Sequence, residues 1–185
     1  MNREIISFKK LQLVYLSTSL LSTYCVMTNT HLVGCCNAVG VMCLIDFCFV
    51  KKRDMMLHHL LVVFLVHYTN THLHNPYSNQ IITVILSTEM STIFLTLNNL
   101  LDVDSIFKQI NKAAFLSTFL YYRLYNYPYQ LMLDPNVRAS YCIYSNNVLE
   151  HWEISGSIYV LFMVNVYWTF LIADKVVGEM YKKMR

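Results

Sequence analysis

Charge is scarce in this chain. Lys and Arg total 14 and Asp and Glu 11 among 185 residues, so 14% are charged, against roughly 25% in an ordinary soluble domain. Glycine (4) and proline (3) are also few, which excludes collagen-like and linker-rich designs and favours one compact unit. The net charge is only +3, and the basic residues fall in short clusters between apolar runs. No basic stripe exists for nucleic acid to follow. Of the six cysteines, Cys25, Cys35, Cys36, Cys43 and Cys48 lie in apolar stretches and read as small hydrophobes, and Cys142 lies in a loop. A disulfide framework is not expected. Strict apolar–polar alternation is missing as well, which excludes an outer-membrane β-barrel.

Apolar residues are abundant, at 56%. A helix needs about 20 mostly apolar residues to cross the hydrocarbon core, and six runs approach that length. They are residues 11–28, 32–50, 55–73, 80–101, 113–133 and 154–173. The expected fold is therefore an all-α membrane protein, six transmembrane helices in one bundle or barrel, forming a single domain over 1–185. The first run is expected to stay attached, because cleavage near Ser17 and Ser19 would leave too short an apolar core for a signal peptide. A short helix is expected on the surface within 134–153.

Orientation follows from the basic residues on alternate sides of the spans. One side holds Arg3, Lys9, Lys10, Lys51, Lys52, Arg53, Lys108, Lys112, Lys175, Lys182, Lys183 and Arg185, and the other holds only Arg138. That asymmetry predicts cytosolic termini. The terminal Lys182-Lys183-Met184-Arg185 resembles a dilysine return signal, which gives the endoplasmic reticulum as the expected location.

An ionisable residue inside a span costs roughly 2.5 to 3.5 kcal/mol on insertion scales and needs a partner or a watery cavity. At 1.5 Å per residue, Asp46 and His58 both lie about 7 Å from the cytosolic ends of adjacent antiparallel helices, which brings Asp46 level with His58 and His59. By the same ruler Glu89 and Arg123 lie about 18 and 16 Å deep on consecutive helices and are expected to pair. Thr92, Thr96 and Asn99 continue the face of Glu89 along its helix, and Asn165 with Trp168 and Thr169 marks a polar or aromatic face on the last span. Together these residues predict a cavity that opens toward the cytosol. His67, His72 and His74 have no carboxylate or cysteine beside them in their loop, so no metal site is expected. Paired haem ligation needs histidines on facing helices, whereas the only other span histidine, His67, shares a helix with His58 and His59. No cofactor is expected.

Four segments in order resemble the TLC family, the membrane domain shared by ceramide synthases and translocating-chain-associated proteins. Asp46 ends a helix before a basic turn, and Asp54-Met55-Met56-Leu57-His58-His59 is similar to the family's D-x-x-x-H-H signature. Ser87-Thr88-Glu89-Met90-Ser91-Thr92-Ile93-Phe94 with Asn98 resembles its E-x-S-x-x-F helix, Phe119 to Arg123 its F-x-x-x-R helix, and Asn165-Val166-Tyr167-Trp168 its final helix. The resemblance covers about 32–175. The second acidic signature of ceramide synthases, H-D-x-S-D, is replaced by the Glu89 segment, so the closest likeness is to the smaller Glu-containing branch, linked to membrane lipid composition.

Two functions follow from the resemblance and the polar residues. The first is binding of a membrane lipid, with Glu89, Thr92, Asn98, Arg123, Asn165 and Trp168 lining the cavity. The alternative is acyl transfer from acyl-CoA to a lipid amine or hydroxyl, with His58 or His59 as base or nucleophile and Asp46 orienting the ring. A pump or channel is disfavoured by the lack of an acidic relay or an inverted repeat.

Overall fold

The structure is a computed structural model that describes residues 2–47, 49, 52–101, 106–145 and 147–184, with side chains described at 11–47, 49, 52–101, 106–145, 147–178 and 181. Cys48, Lys51, Arg185 and the side chains of Arg3, Lys9, Lys10, Lys182 and Lys183, all used in the reading above, lie outside that description. Every element among the described residues is helical: α1 (Asn2–Thr28), α2 (Leu32–Asp46), α3 (Arg53–Thr71), α4 (Ser78–Ser87), α5 (Glu89–Leu100), α6 (Ile106–Phe119), α7 (Pro135–Tyr144) and α8 (Val148–Met184). α6 continues as π-helix through Leu120–Asn126 and Tyr129–Leu133. Each apolar run of the sequence lies largely on a helix, and α7 is the short helix expected between the last two. Two stretches, Ser78–Leu100 and Val148–Gly178, are long and apolar enough to cross a membrane, while Leu32–Asp46 is apolar but shorter.

α4 forms the centre. Ile81, Ile82, Val84, Ile85 and Leu86 are each at most 3% exposed, and the helix packs against α1, α2, α3 and the π-helical end of α6. The remaining long helices surround it, with α1 beside α2, α2 beside α3, α3 beside α8, and α8 beside the π-helical segment. Gly40 sets the approach of α2 to α3: a Cβ there would sit 3.1 Å from Val66 Cγ1. A small residue lets the two backbones come this close.

Large apolar side chains also cover the outside, and polar residues are buried beside the apolar core. Leu13, Leu20, Leu21 and Met27 on α1 and Met163, Phe170 and Leu171 on α8 face outward, while Gln12, Ser19, Ser22, Asp46, His58, His59 and Asn165 are buried.

Two irregularities position the interior polar groups. At the α4–α5 junction the hydroxyls of Ser87, Thr88 and Ser91 donate back to the carbonyls of Val84, Ile85 and Thr88 at 2.7, 2.7 and 2.9 Å. Such bonds compete with the helical ladder and bend it, immediately before Glu89. In α6 the wide turns flank Pro128, which supplies no N–H and crowds the carbonyl one turn back. Arg123 sits on the first of these wide turns.

Contacts define two ends. At the basic end, α2 passes to α3 near Lys52 and Arg53. At the far end, α1 turns into α2 through Asn29 and His31, both with left-handed backbone (φ 52° and 53°). Here the structure corrects the reading of the cysteines: Cys25 and Cys35 form a disulfide across this turn. Cys36 and Cys43 are buried and free, and Cys142 is exposed. α7 covers the far end, capped by Asp134, whose Oδ1 accepts from the N–H groups of Asn136 and Val137 at 2.9 and 3.3 Å, with Pro135 in the first turn. Those bonds, Val137 foremost, hold the Asp134 carboxyl below the usual carboxylate range. Tyr141 of α7 is buried, which pushes its phenol up, and it donates to the Leu131 carbonyl at 3.3 Å.

Candidate functional site

His58 and His59 face inward from the first turns of α3, each 7% exposed, and Asp46 closes α2 opposite them at 4%. The turn between the two helices brings Asp46 Oδ2 to 3.5 Å from His59 Nε2. With the His59 proton on Nε2, toward the carboxylate, Nδ1 would be an acceptor. Phe47 meets the His59 ring edge-on at 6.4 Å. His58 packs against both His59 (5.6 Å between centroids) and Trp168 of α8 (4.9 Å). The Trp168 indole N–H donates to Asp54 Oδ2 at 2.7 Å, on the same face of α3 one turn before His58.

Trp168 also joins this group to Arg123. The guanidinium carbon lies 5.9 Å from the Trp168 ring and 5.5 Å from Phe119. Arg123 is 5% exposed and donates from Nε to Ser91 Oγ (3.0 Å), from Nη1 to Asn165 Oδ1 (3.3 Å) and from Nη2 to Thr92 Oγ1 (3.4 Å). One cation thereby ties α5, α6 and α8 together through neutral acceptors and two aromatic faces.

The expected Glu89–Arg123 pair does not form. Glu89 Oε2 instead accepts from Ser19 of α1 at 3.3 Å, and no ion pair between described residues joins it to Arg123. The bend before Glu89 and the π-helical turn at Arg123 set the rotation of both side chains, which a depth ruler does not report. Asn98 also stays outside the Trp168-linked group: its Oδ1 is buried and without a partner. Sequence reasoning assigned no role to Ser19, and Ser91, Phe119 and Asp54 stood only as members of the family segments, without a place in the site. Asp54 had a signal, since it precedes His58 by four residues on one helical face. Ser91 had only its place in the E-x-S-x-x-F segment, because its orientation depends on the bend.

Three buried polar atoms in the Asp46 cluster have no hydrogen-bond partner: Asp46 Oδ1, His58 Nδ1 and His59 Nδ1. A buried polar atom left unpaired costs about 1 to 3 kcal/mol, so three together in one place mark a group built to meet something polar. A carboxylate, two imidazoles, an indole and a guanidinium can accept from a hydroxyl or amine, donate to a phosphate or carbonyl, or move a proton. At the far end, His72 Nε2 lies 3.3 Å from Glu150 Oε1, a contact that the loop sequence did not reveal. No group of three or more His, Cys, Asp or Glu among the described residues is arranged to hold a metal ion.

Comparisons with curated proteins and with solved structures gave no match. The family profile described as the TLC domain matches residues 40–174, which take in Asp46, the His pair, Glu89, Arg123, Asn165 and Trp168. A match over most of the chain, enclosing the whole constellation built above, shows that this protein belongs to the TLC domain family of lipid-related membrane proteins.

Proposed function

We propose that this chain is a six-span membrane protein of one domain, with both termini cytosolic, that binds a membrane lipid at the Asp46–His58–His59 cluster and thereby influences membrane lipid composition. The observation that carries the reading is the set of unpaired atoms Asp46 Oδ1, His58 Nδ1 and His59 Nδ1, buried together at the basic end. They offer acceptors and an imidazole edge to a lipid headgroup, and Arg123 supports the site through Trp168.

Three features support the membrane arrangement. Outward apolar and inward polar residues suit a lipid surround. The twelve-to-one distribution of Lys and Arg favours the basic end as cytosolic. The Cys25–Cys35 disulfide lies at the opposite end, where an oxidising lumen such as that of the endoplasmic reticulum would maintain it.

The 3.5 Å approach of Asp46 to His59 favours a second reading, acyl transfer from acyl-CoA. His59 Nδ1 would take the proton from a lipid amine or hydroxyl as that group attacks the thioester carbonyl. The CoA thiolate would leave and receive the proton, with Asp46 orienting the imidazolium. Lys52 and Arg53 stand beside the site and would attract the CoA phosphates.

Lipid profiling of membranes expressing the wild type, His58→Ala or His59→Ala tests both readings, alongside an assay of purified protein with acyl-CoA and sphingoid or glycerolipid acceptors. Binding predicts a graded change in lipid composition and no acylated product. Transfer predicts a product that His59→Ala abolishes. A profile identical in all three, with no product, would overturn both.

A further inference from the structure

The sequence places a single basic residue, Arg138, on the far side of the spans. It lines a cavity of about 440 Å³ enclosed by α7, the start of α8 and the end of the π-helical segment. None of the residues lining that cavity is acidic. Leu131 and Ile158 form an apolar floor, each 1% exposed, and Trp152 and Tyr159 stand at the wall. His151 completes the polar side, and its Nδ1 is buried without a hydrogen-bond partner. No ion pair between described residues holds Arg138. Of the carboxylates nearby, Asp134 accepts from the first turn of α7, Glu150 faces His72, and Glu153 is not among the lining residues.

A cation, an unpaired imidazole nitrogen, an apolar floor and no carboxylate together select an anion attached to something apolar. Trp and Tyr lie where a bilayer meets water, so Trp152 in the second turn of α8, just before the span 154–173, puts the cavity at headgroup level. We propose that this cavity binds the phosphate of a phospholipid headgroup from the far leaflet, with Arg138 and His151 donating to phosphate oxygens and an acyl chain lying over Leu131 and Ile158. The site is distinct from the Asp46–His59 cluster at the other end. It rests on the six-span reading for its level in the bilayer and is independent of any ligand at the His pair.

Native mass spectrometry of the full chain released from vesicles of phosphatidylcholine with phosphatidylglycerol tests this. Arg138→Gln should lower the occupancy of one phospholipid per chain at least about tenfold, as loss of a charge-assisted hydrogen bond implies, with any lipid at the His pair kept and thermal unfolding unchanged because the side chain is exposed. Arg138→Lys should retain part of the binding. Diacylglycerol, which has the chains without the phosphate, should not bind there. Should Arg138→Gln fail to fold, Ala139→Trp decides the matter by filling the cavity from an exposed position while keeping the charge, and should displace the lipid. His59→Ala should leave this phospholipid in place. Equal binding in wild type, Arg138→Gln and Ala139→Trp would overturn the site. So would displacement by millimolar inorganic phosphate with no lipid retained, which would indicate a free anion. Loss in His59→Ala but not in Arg138→Gln would locate the lipid at the other end, overturning this site and sparing the proposed function.

Discussion

The two ends of the molecule differ in how far their polar residues are satisfied within the protein. At the far end they are mostly tied to one another: Asp134 caps α7, the Asn75 amide donates to Ser140 Oγ at 3.2 Å, and His72 meets Glu150. At the basic end Asp46, His58 and His59 lie close enough to touch, yet each keeps a buried atom unpaired. Polar groups that hold helices together are satisfied within the protein, whereas the unmet capacity here, as at His151 Nδ1 in the far cavity, is what a ligand would use. Arg123 lies between these extremes. Three side-chain hydrogen bonds satisfy it, and two aromatic rings flank it. Its hydrogen bonds join α5, α6 and α8, and its guanidinium lies against Trp168.

The largest effect should come from Arg123→Leu, which leaves Ser91, Thr92 and Asn165 without their donor and should cost about 3 kcal/mol in unfolding followed in detergent. Glu89→Gln should cost under about 1 kcal/mol, because an amide oxygen still accepts from Ser19. Equal losses would mean that the two residues form the ion pair that the structure denies them. Replacing Cys25 and Cys35 by Ser should cost somewhat less than Arg123→Leu, about 2 to 3 kcal/mol for a closed loop of this size. Maleimide should label both cysteines only after reduction and unfolding. Trp168→Phe removes the indole donor to Asp54 and should cost about 1 to 2 kcal/mol. It should also weaken lipid binding at the His pair, whereas a change of similar size at the far end, such as Ser140→Ala, should not. The smallest effect is the pH dependence of the α7 cap. The folded Asp134 carboxyl lies below its ordinary value of 3.8, so its stabilisation is present above that pH and fades as pH falls through the folded value. Asp134→Asn should flatten this acid limb in thermal melts by removing, at neutral pH, the stabilisation that the wild type loses in acid.

Helix placement was legible because apolar runs and their bounding charges persist through any packing, and Asp46 beside His59 was legible because a short turn fixes the depth of both. Rotation was not. The hydroxyls of Ser87, Thr88 and Ser91 and the ring of Pro128 alter the helix period locally, so Glu89 turns to α1 and Arg123 to Ser91 and Asn165. Cys25 and Cys35 gave no signal, since two cysteines ten residues apart in apolar runs look the same whether or not a turn brings them together. The cavity at Arg138 was equally silent, because it depends on how α7 folds back over α8.

The central claim is that the unpaired atoms of Asp46, His58 and His59 meet a lipid. The most direct measurement is the lipid that co-purifies per protein chain, determined in an Arg138→Gln background so that the far cavity does not contribute. The double change His58→Ala, His59→Ala should lower that lipid about tenfold, consistent with the loss of two polar contacts, while the thermal midpoint stays within a few degrees. An unchanged lipid content in a stably folded double variant would contradict the account.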